Sequence, residues 1–138
     1  MVKKFTMGYV LDKYNMHKTI SFGLILQNLG LLLFLFGAAA NHVAVTQNEC
    51  RMPVLIDYKI DTDRHFSFKD SSNISYYWLT DIFESTSLNV MFSIGDVLLT
   101  FGILLVVSAG VVVLRIQYKA LIIKRKLNKR WSSKRKRS

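Results

Sequence analysis

A single cysteine, Cys50, and a single proline, Pro53, stand in a chain of 138 residues. One thiol cannot close a disulfide within the chain, so a disulfide-stapled scaffold is excluded and Cys50 is expected to be free. Acidic residues are also scarce: nine Asp and Glu face 19 Lys and Arg, a formal net charge of +10, and none follows Asp96. The three histidines, His17, His42 and His65, lie far apart with no Cys or His at ligand spacing, so no metal centre is expected. The chain also lacks a glycine-rich phosphate loop, and no cofactor is implied. The length excludes a multidomain enzyme, and a hydrophobic content of 51% excludes a disordered chain.

Apolar runs are what the chain has in quantity. Residues 20–40, ISFGLILQNLGLLLFLFGAAA, carry no charge over 21 positions. A helix rising about 1.5 Å per residue would cross a hydrocarbon core of about 30 Å within that length. Residues 97–114 form a second uncharged run of 18, extended upstream by NVMFSIGD with Asp96 as its one ionised group. Both runs are apolar on every face, unlike a surface helix of a soluble domain. A rival reading makes the first run a cleaved signal peptide ending at Ala38-Ala39-Ala40, but signal apolar stretches are usually about 7 to 15 residues.

Charge distribution sets the expected orientation. Lys3, Lys4, Lys13 and Lys18 against Asp12 precede the first run, and 11 basic residues with no acid follow the second. Between them, four basic residues meet seven acidic ones. Positive charge resists translocation, so both termini are expected in the cytoplasm of a multi-pass protein of the cell (plasma) membrane. The fold expectation is an all-α membrane protein, a two-span antiparallel transmembrane helical hairpin. Its parts are a basic N-terminus (1–19), a first span (20–40), an extracytoplasmic loop (41–90), a second span (91–114) and a basic tail (115–138).

Gly23, Gly30 and Gly37 recur every seven residues in the first span, as do Gly95, Gly102 and Ala109 in the second. Small residues let membrane helices approach and gain dispersion energy, and a seven-residue repeat suits a left-handed crossing. An antiparallel seam would set Gly23 opposite Ala109, Gly30 opposite Gly102 and Gly37 opposite Gly95. Gln27 and Asn28, polar within the span, are expected to face protein, bonding to Ser108, Thr100 or a partner chain.

In the loop, Ile74, Tyr77, Trp78, Ile82 and Phe83 share one helical face, which predicts a short interfacial helix on the outer leaflet. A small β-hairpin using VLIDYKI as one strand is the alternative. Asn73-Ile74-Ser75 is a glycosylation sequon. In the tail, Ile116, Ala120, Ile123, Leu127 and Trp131 make an apolar stripe at spacings of three and four, predicting a basic amphipathic helix. Lys124, Arg125, Lys126, Lys129 and Arg130 are its candidate lipid-binding residues, with anionic lipid of the inner leaflet as partner. Binding of nucleic acid by WSSKRKRS is the disfavoured alternative, because the positive-inside rule already accounts for these charges.

The order GLLLFLFGAAANHVAVTQNECRMPV, an acidic segment with Asp81, then MFSIGDVLLTFGILLVV, over residues 30–107, resembles an uncharacterised bacterial multi-pass membrane-protein family. That domain of unknown function carries an NGGxMPV-like stretch, a later Leu-Gly-Asp and a closing SIGDVLL. Here Glu49-Cys50 replaces the glycine pair and Thr80 the glycine before Asp81. The resemblance implies a membrane protein of no established activity, resembling the family's C-terminal half. Phe92-Ser93-Ile94-Gly95-Asp96 is also similar to the FNxAD segment of lipoprotein signal peptidases, and Gly37-Ala38-Ala39-Ala40-Asn41 to their GxxGN segment. That likeness implies an aspartate pair activating water, but the position of their other aspartate is Ala44. Asp96 and Asp81 are therefore the weak catalytic candidates, with a capping role for Asp96 as the plainer alternative. The leading functional expectation is a non-enzymatic membrane protein acting through helix packing, as a homo-oligomer or with a larger membrane partner. The alternatives are a degenerate aspartyl membrane peptidase and a small transporter component.

Overall fold

Long helices follow from two breaker-free stretches. The computed structural model describes residues 6–56, 61–87 and 90–135, with side chains through Ser133. It contains α1 (Met7–Lys13), α2 (Met16–Thr46) and α3 (Ile94–Arg135). Thr6 caps α1, its hydroxyl accepting from the Tyr9 amide at 3.2 Å, and the chain turns into α2 through Asn15 at φ 52°. No proline interrupts α2 or α3. Both are long and apolar enough to cross a membrane, and only 17% of the most apolar window of each is buried. α2 outruns the expected span because HVAVT continues the helical bonding, with Thr46 Oγ1 donating to the His42 carbonyl at 2.8 Å. α3 runs into the basic segment because Leu, Lys and Arg are good helix formers. Along it Ala120 is fully buried and Trp131 exposed, while Arg125, Lys126, Lys129 and Arg130 are exposed and Lys124 is half-buried. Lys3, Lys4, Lys136 and Arg137 lie outside the described residues.

The chain forms two compact units, Met1–Asn28 with Leu105–Ser138, and Leu29–Leu104. In the first, Val10, Ala109, Val113 and Ala120 are buried. A Cβ on Gly23 would stand 2.6 Å from Val113 Cγ2, so glycine is what lets this side chain approach.

In the second unit, a loop structure packs on α2. Strands β1 (Met52–Leu55) and β2 (His65–Phe68) pair in parallel, Met52 opposite His65 and Leu55 opposite Phe68. β3 (Phe83–Ser85) and β4 (Val90–Phe92) pair antiparallel, with the Phe83 and Phe92 rings stacked at 5.7 Å. Ala44, Met52 and Leu79 form the core, flanked by Ala40, Val43 and Val45.

Two expectations are corrected. The fold is mostly helical rather than all-α, because two two-stranded sheets are present. The interfacial helix expected around residues 74–83 is replaced by a single 3₁₀ turn, Tyr77–Leu79, entered through Tyr76 at φ 50°. Non-local bonds override the helical pattern. Buried Asn48 donates to the Ser75 carbonyl at 2.8 Å and accepts from its amide at 3.0 Å, which fixes the backbone before the turn. After the turn, the Asp81 amide donates to the Pro53 carbonyl at 3.1 Å and the Leu55 amide to the Asp81 carbonyl at 3.0 Å, drawing the chain alongside β1. The alternative strand VLIDYKI is represented by β1 up to Leu55, and its residues 57–60 lie outside the described residues.

Glu49 and Cys50 both adopt positive φ, 55° and 58°, at the positions where the resembling family has its glycine pair. A side chain in this left-handed region is disfavoured by about 1 kcal/mol or more. Cys50→Gly should therefore raise the unfolding free energy in detergent by about 1 kcal/mol. Glu49→Gly should gain less, since it also removes the 2.9 Å pair with Arg51. Denaturant titration monitored by circular dichroism checks both, and a Cys50→Gly midpoint at or below that of the parent would contradict the strain.

Candidate functional site

The first turn of α3 is built as a reciprocal cap. The Asp96 amide donates to Ser93 Oγ at 3.1 Å, and the Ser93 amide donates to Asp96 Oδ2 at 3.0 Å. Two backbone donors that a helix start leaves open are satisfied in this way, and the carboxylate sits where the helix dipole favours negative charge. Asn41 on α2 closes the ring. Its Nδ2 donates to Asp96 Oδ1 at 2.7 Å, and its Oδ1 accepts from Ser93 Oγ at 2.8 Å. Gly95 makes room for this ring, because a Cβ there would overlap Asn41 Oδ1. Close backbone approach continues along these helices. A Cβ on Gly37 would meet the Gly95 carbonyl oxygen at 2.5 Å, and one on Gly102 would meet the Gly30 carbonyl oxygen at 2.6 Å.

Beside the ring lies a cleft of about 370 Å³ lined by Asn41, Cys50, Met52, His65, Asp81 and Asp96, among others. Its geometry follows from β1, which has β2 and hence His65 on one side and the bridge partner Asp81 on the other. Asp81 is 7% exposed, and its Oδ1 has no hydrogen-bond partner among the described residues. His65 Nε2 lies 4.0 Å from Asp81 Oδ2, outside hydrogen-bond reach. Burial, and secondarily the charge of Asp96, push the Asp81 carboxyl up to about 6. Chemically this places two unlike carboxylates in one cleft: Asp96 accepts from the Asn41 side chain and the Ser93 amide, and Asp81, whose Oδ1 has no donor among the described residues, is the one that burial disposes to take a proton. No group of three or more His, Cys, Asp or Glu that could hold a metal ion occurs among the described residues.

The two candidate aspartates, Asp81 and Asp96, thus line one cleft. Ala44 is fully buried in the hydrophobic core. In the other unit, Asn28 is exposed and donates Nδ2 to the Leu24 carbonyl of its own helix at 2.9 Å, where an interhelical bond was expected. Gln27 is half-buried. Ser108 Oγ likewise bonds within its helix, to the Leu105 carbonyl at 3.2 Å. Sequence reasoning missed Ser93 and the bridging role of Asn41. The Ser-x-x-Asp spacing of Ser93 to Asp96 was a readable capping signal, whereas nothing local marks Asn41 or His65 as neighbours of an aspartate.

Comparison with protein families finds a match over residues 13–108 to a family of unknown function. Comparison with curated proteins and with solved structures finds no match.

Proposed function

The chain belongs to DUF5317, a family of unknown function, and from that premise we propose that it is a small integral protein of the cell membrane that acts through helix packing. In this reading α2 and α3 are two antiparallel spans, both termini are cytoplasmic, and the β-containing loop is extracytoplasmic. The observation that carries it is how little of either apolar helix the chain itself covers, 17% of each window. Phe22, Ile25, Leu35, Phe36 and Phe101 are left for lipid, a second copy or a larger membrane partner. Within the chain, Gly23, Gly30, Gly37, Gly95, Gly102 and Ala109 serve as the packing seam. Lys124, Arg125, Lys126, Lys129 and Arg130 hold anionic lipid at the inner leaflet, each contributing about 1 kcal/mol.

Cys50, exposed and alone, is a built-in topology probe. A membrane-impermeant maleimide should label it on intact cells, and the protein should stay in the membrane pellet through high-salt washing. Labelling only after lysis would reverse the orientation, and release by salt without detergent would overturn the membrane reading.

One observation favours a second reading, a degenerate aspartyl membrane peptidase similar to lipoprotein signal peptidases: Asp81 and Asp96 share a cleft. Asp81, raised to about 6, would serve as the acid and Asp96 as the base that activates water. Assaying the purified protein on lipoprotein precursors, with Asp96→Asn as control, separates this reading from the first.

A further inference from the structure

Within the unit that holds both termini, α1, the start of α2 and the middle of α3 enclose a cleft of about 740 Å³. Met7, Leu11, Ile20, Leu114, Tyr118 and Leu121 line it, and His17 and Gln117 are its polar members among the described residues. Its size falls in the range of ligand clefts, about 300 to 1,000 Å³. Leu114 and Tyr118 are each 66% exposed, so the chain leaves this apolar wall uncovered. A second cleft of about 350 Å³ follows along α3, lined by Ile122, Arg125, Lys126, Asn128 and Lys129. Seven residues make nearly two whole turns, so Arg125 stands on the same side of α3 as Tyr118, about 10 Å farther on. We propose that the two clefts together hold one anionic phospholipid, with an acyl chain in the first and the phosphate against Arg125, Lys126 and Lys129 in the second.

Charge and depth select the occupant. Asp12 is the one acidic residue in the sequence of this unit, and His17 Nε2 lies 2.9 Å from its Oδ1. Lys18, Arg115 and Lys119 add exposed cations next in sequence to the lining residues His17, Leu114 and Tyr118. A neutral lipid would cover the apolar cleft and leave Arg125, Lys126 and Lys129 without a counter-charge. A free phosphate compound would meet those cations and leave the apolar cleft in water. An anionic amphiphile satisfies both. This inference rests on the membrane placement proposed above, in which α3 leaves the bilayer as it passes from its uncharged run into its basic segment. The first cleft then lies at the edge of the hydrocarbon and the second among the headgroups. A headgroup layer is roughly 5 to 8 Å deep, so a step of about 10 Å along α3 leads from upper acyl chain to phosphate. Tyr118, between the two, is a residue type favoured at that boundary. Through Met7 and Leu11, the seven-residue α1 supplies the wall that turns a helix surface into a cleft. A lipid held here differs from a diffuse layer attracted to the basic segment. The layer answers to the number of charges, whereas a site answers to which charges they are and to the cleft beside them.

The test uses the full chain in a neutral detergent, mixed with equal amounts of phosphatidylglycerol and phosphatidylcholine of the same acyl chains and read by native mass spectrometry. One phosphatidylglycerol should stay on each chain, retained about tenfold or more over phosphatidylcholine. The combined substitution Arg125→Gln, Lys126→Gln and Lys129→Gln should lower that retention by about tenfold or more. The combination Arg115→Gln, Lys119→Gln and Arg130→Gln removes equal charge outside the described lining of both clefts, and should lower it by about threefold or less. All six positions are exposed, so both variants are expected to fold, which circular dichroism checks. Leu114→Trp, also at an exposed position, narrows the apolar cleft without changing charge and should lower retention by about tenfold. Equal retention of the two lipids, equal effects of the two triple substitutions, or retention indifferent to Leu114→Trp would overturn the proposal. A dimer that Leu114→Trp splits into monomers, read by light scattering with lipid retention unchanged, would overturn it by assigning the cleft to a second copy. A chain that stays in the membrane pellet through high-salt washing yet retains no phosphatidylglycerol loses this site and keeps the membrane reading. Release by salt without detergent loses both.

Discussion

Gly37→Leu and Gly102→Leu should each lower the unfolding free energy by about 3 kcal/mol, the upper end of overpacking penalties. At Gly37 the nearest atoms to an added Cβ are the Gly95 carbonyl oxygen at 2.5 Å and the Leu99 amide nitrogen at 2.7 Å. At Gly102 they are the Gly30 carbonyl oxygen and the Phe34 amide nitrogen, both at 2.6 Å. These are backbone atoms of a facing helix, which cannot rotate aside, so the helices themselves must separate and lose dispersion contacts. Gly23 is softer, because its close neighbour is Val113 Cγ2, a side-chain end, and Gly110 has nothing within 4 Å. The expected order of damage is therefore Gly37 and Gly102 first, then Gly23, with Gly110→Leu near neutral or slightly stabilising, since glycine is a poor helix former. Unfolding by added SDS in mixed micelles reads this order, alongside crosslinking between α2 and α3. If Gly37→Leu and Gly110→Leu behaved alike, glycine packing would not be what holds these helices together.

That ranking also marks what a sequence can and cannot disclose. The uncharged runs at 20–40 and 97–114 are legible because a bilayer-length helix needs only local composition. Glycines at intervals of seven could be read as points of close approach, but the atoms lying opposite them, and hence the difference between Gly23 and Gly37, are set by helix register. The loop was less legible. Its aromatic positions carry a helical period, and three tertiary constraints override it: Asn48 holding Ser75, Tyr76 in the left-handed region, and Asp81 paired to β1. Asp81 and Asp96 were both readable as charged residues worth testing. Their meeting in one cleft was not, because it depends on a parallel β pair and a loop of non-local bonds that no short-range pattern encodes.

Asp81→Asn should remove most of the pH dependence of stability between pH 4 and pH 7. In the native chain the Asp81 carboxyl is raised from 3.8 to about 6, so the folded state holds this proton more tightly than the unfolded state does. A raised carboxylate contributes its full stability below pH 3.8 and loses it progressively as pH climbs to about 6, after which the loss is complete. Raising the carboxyl from 3.8 to about 6 corresponds to about 3 kcal/mol at full strength, and opening of the cleft to solvent reduces this to about 2 kcal/mol. At pH 7.5 the neutral amide should therefore leave the protein more stable than its parent by about that amount, while at pH 4 the two should nearly coincide. The two proteins differ in one carboxyl, so the difference between the two pH profiles reports Asp81 together with the groups that face it, Asp96 and His65. Burial is the larger cause of the shift and Asp96 the smaller. Asp96→Asn should thus flatten the profile only partly, and any gain at pH 7.5 is offset by the weakened cap on α3, where the Ser93 amide and Asn41 lose a carboxylate acceptor. Parallel pH profiles for the parent and Asp81→Asn would show that Asp81 is already neutralised by another group.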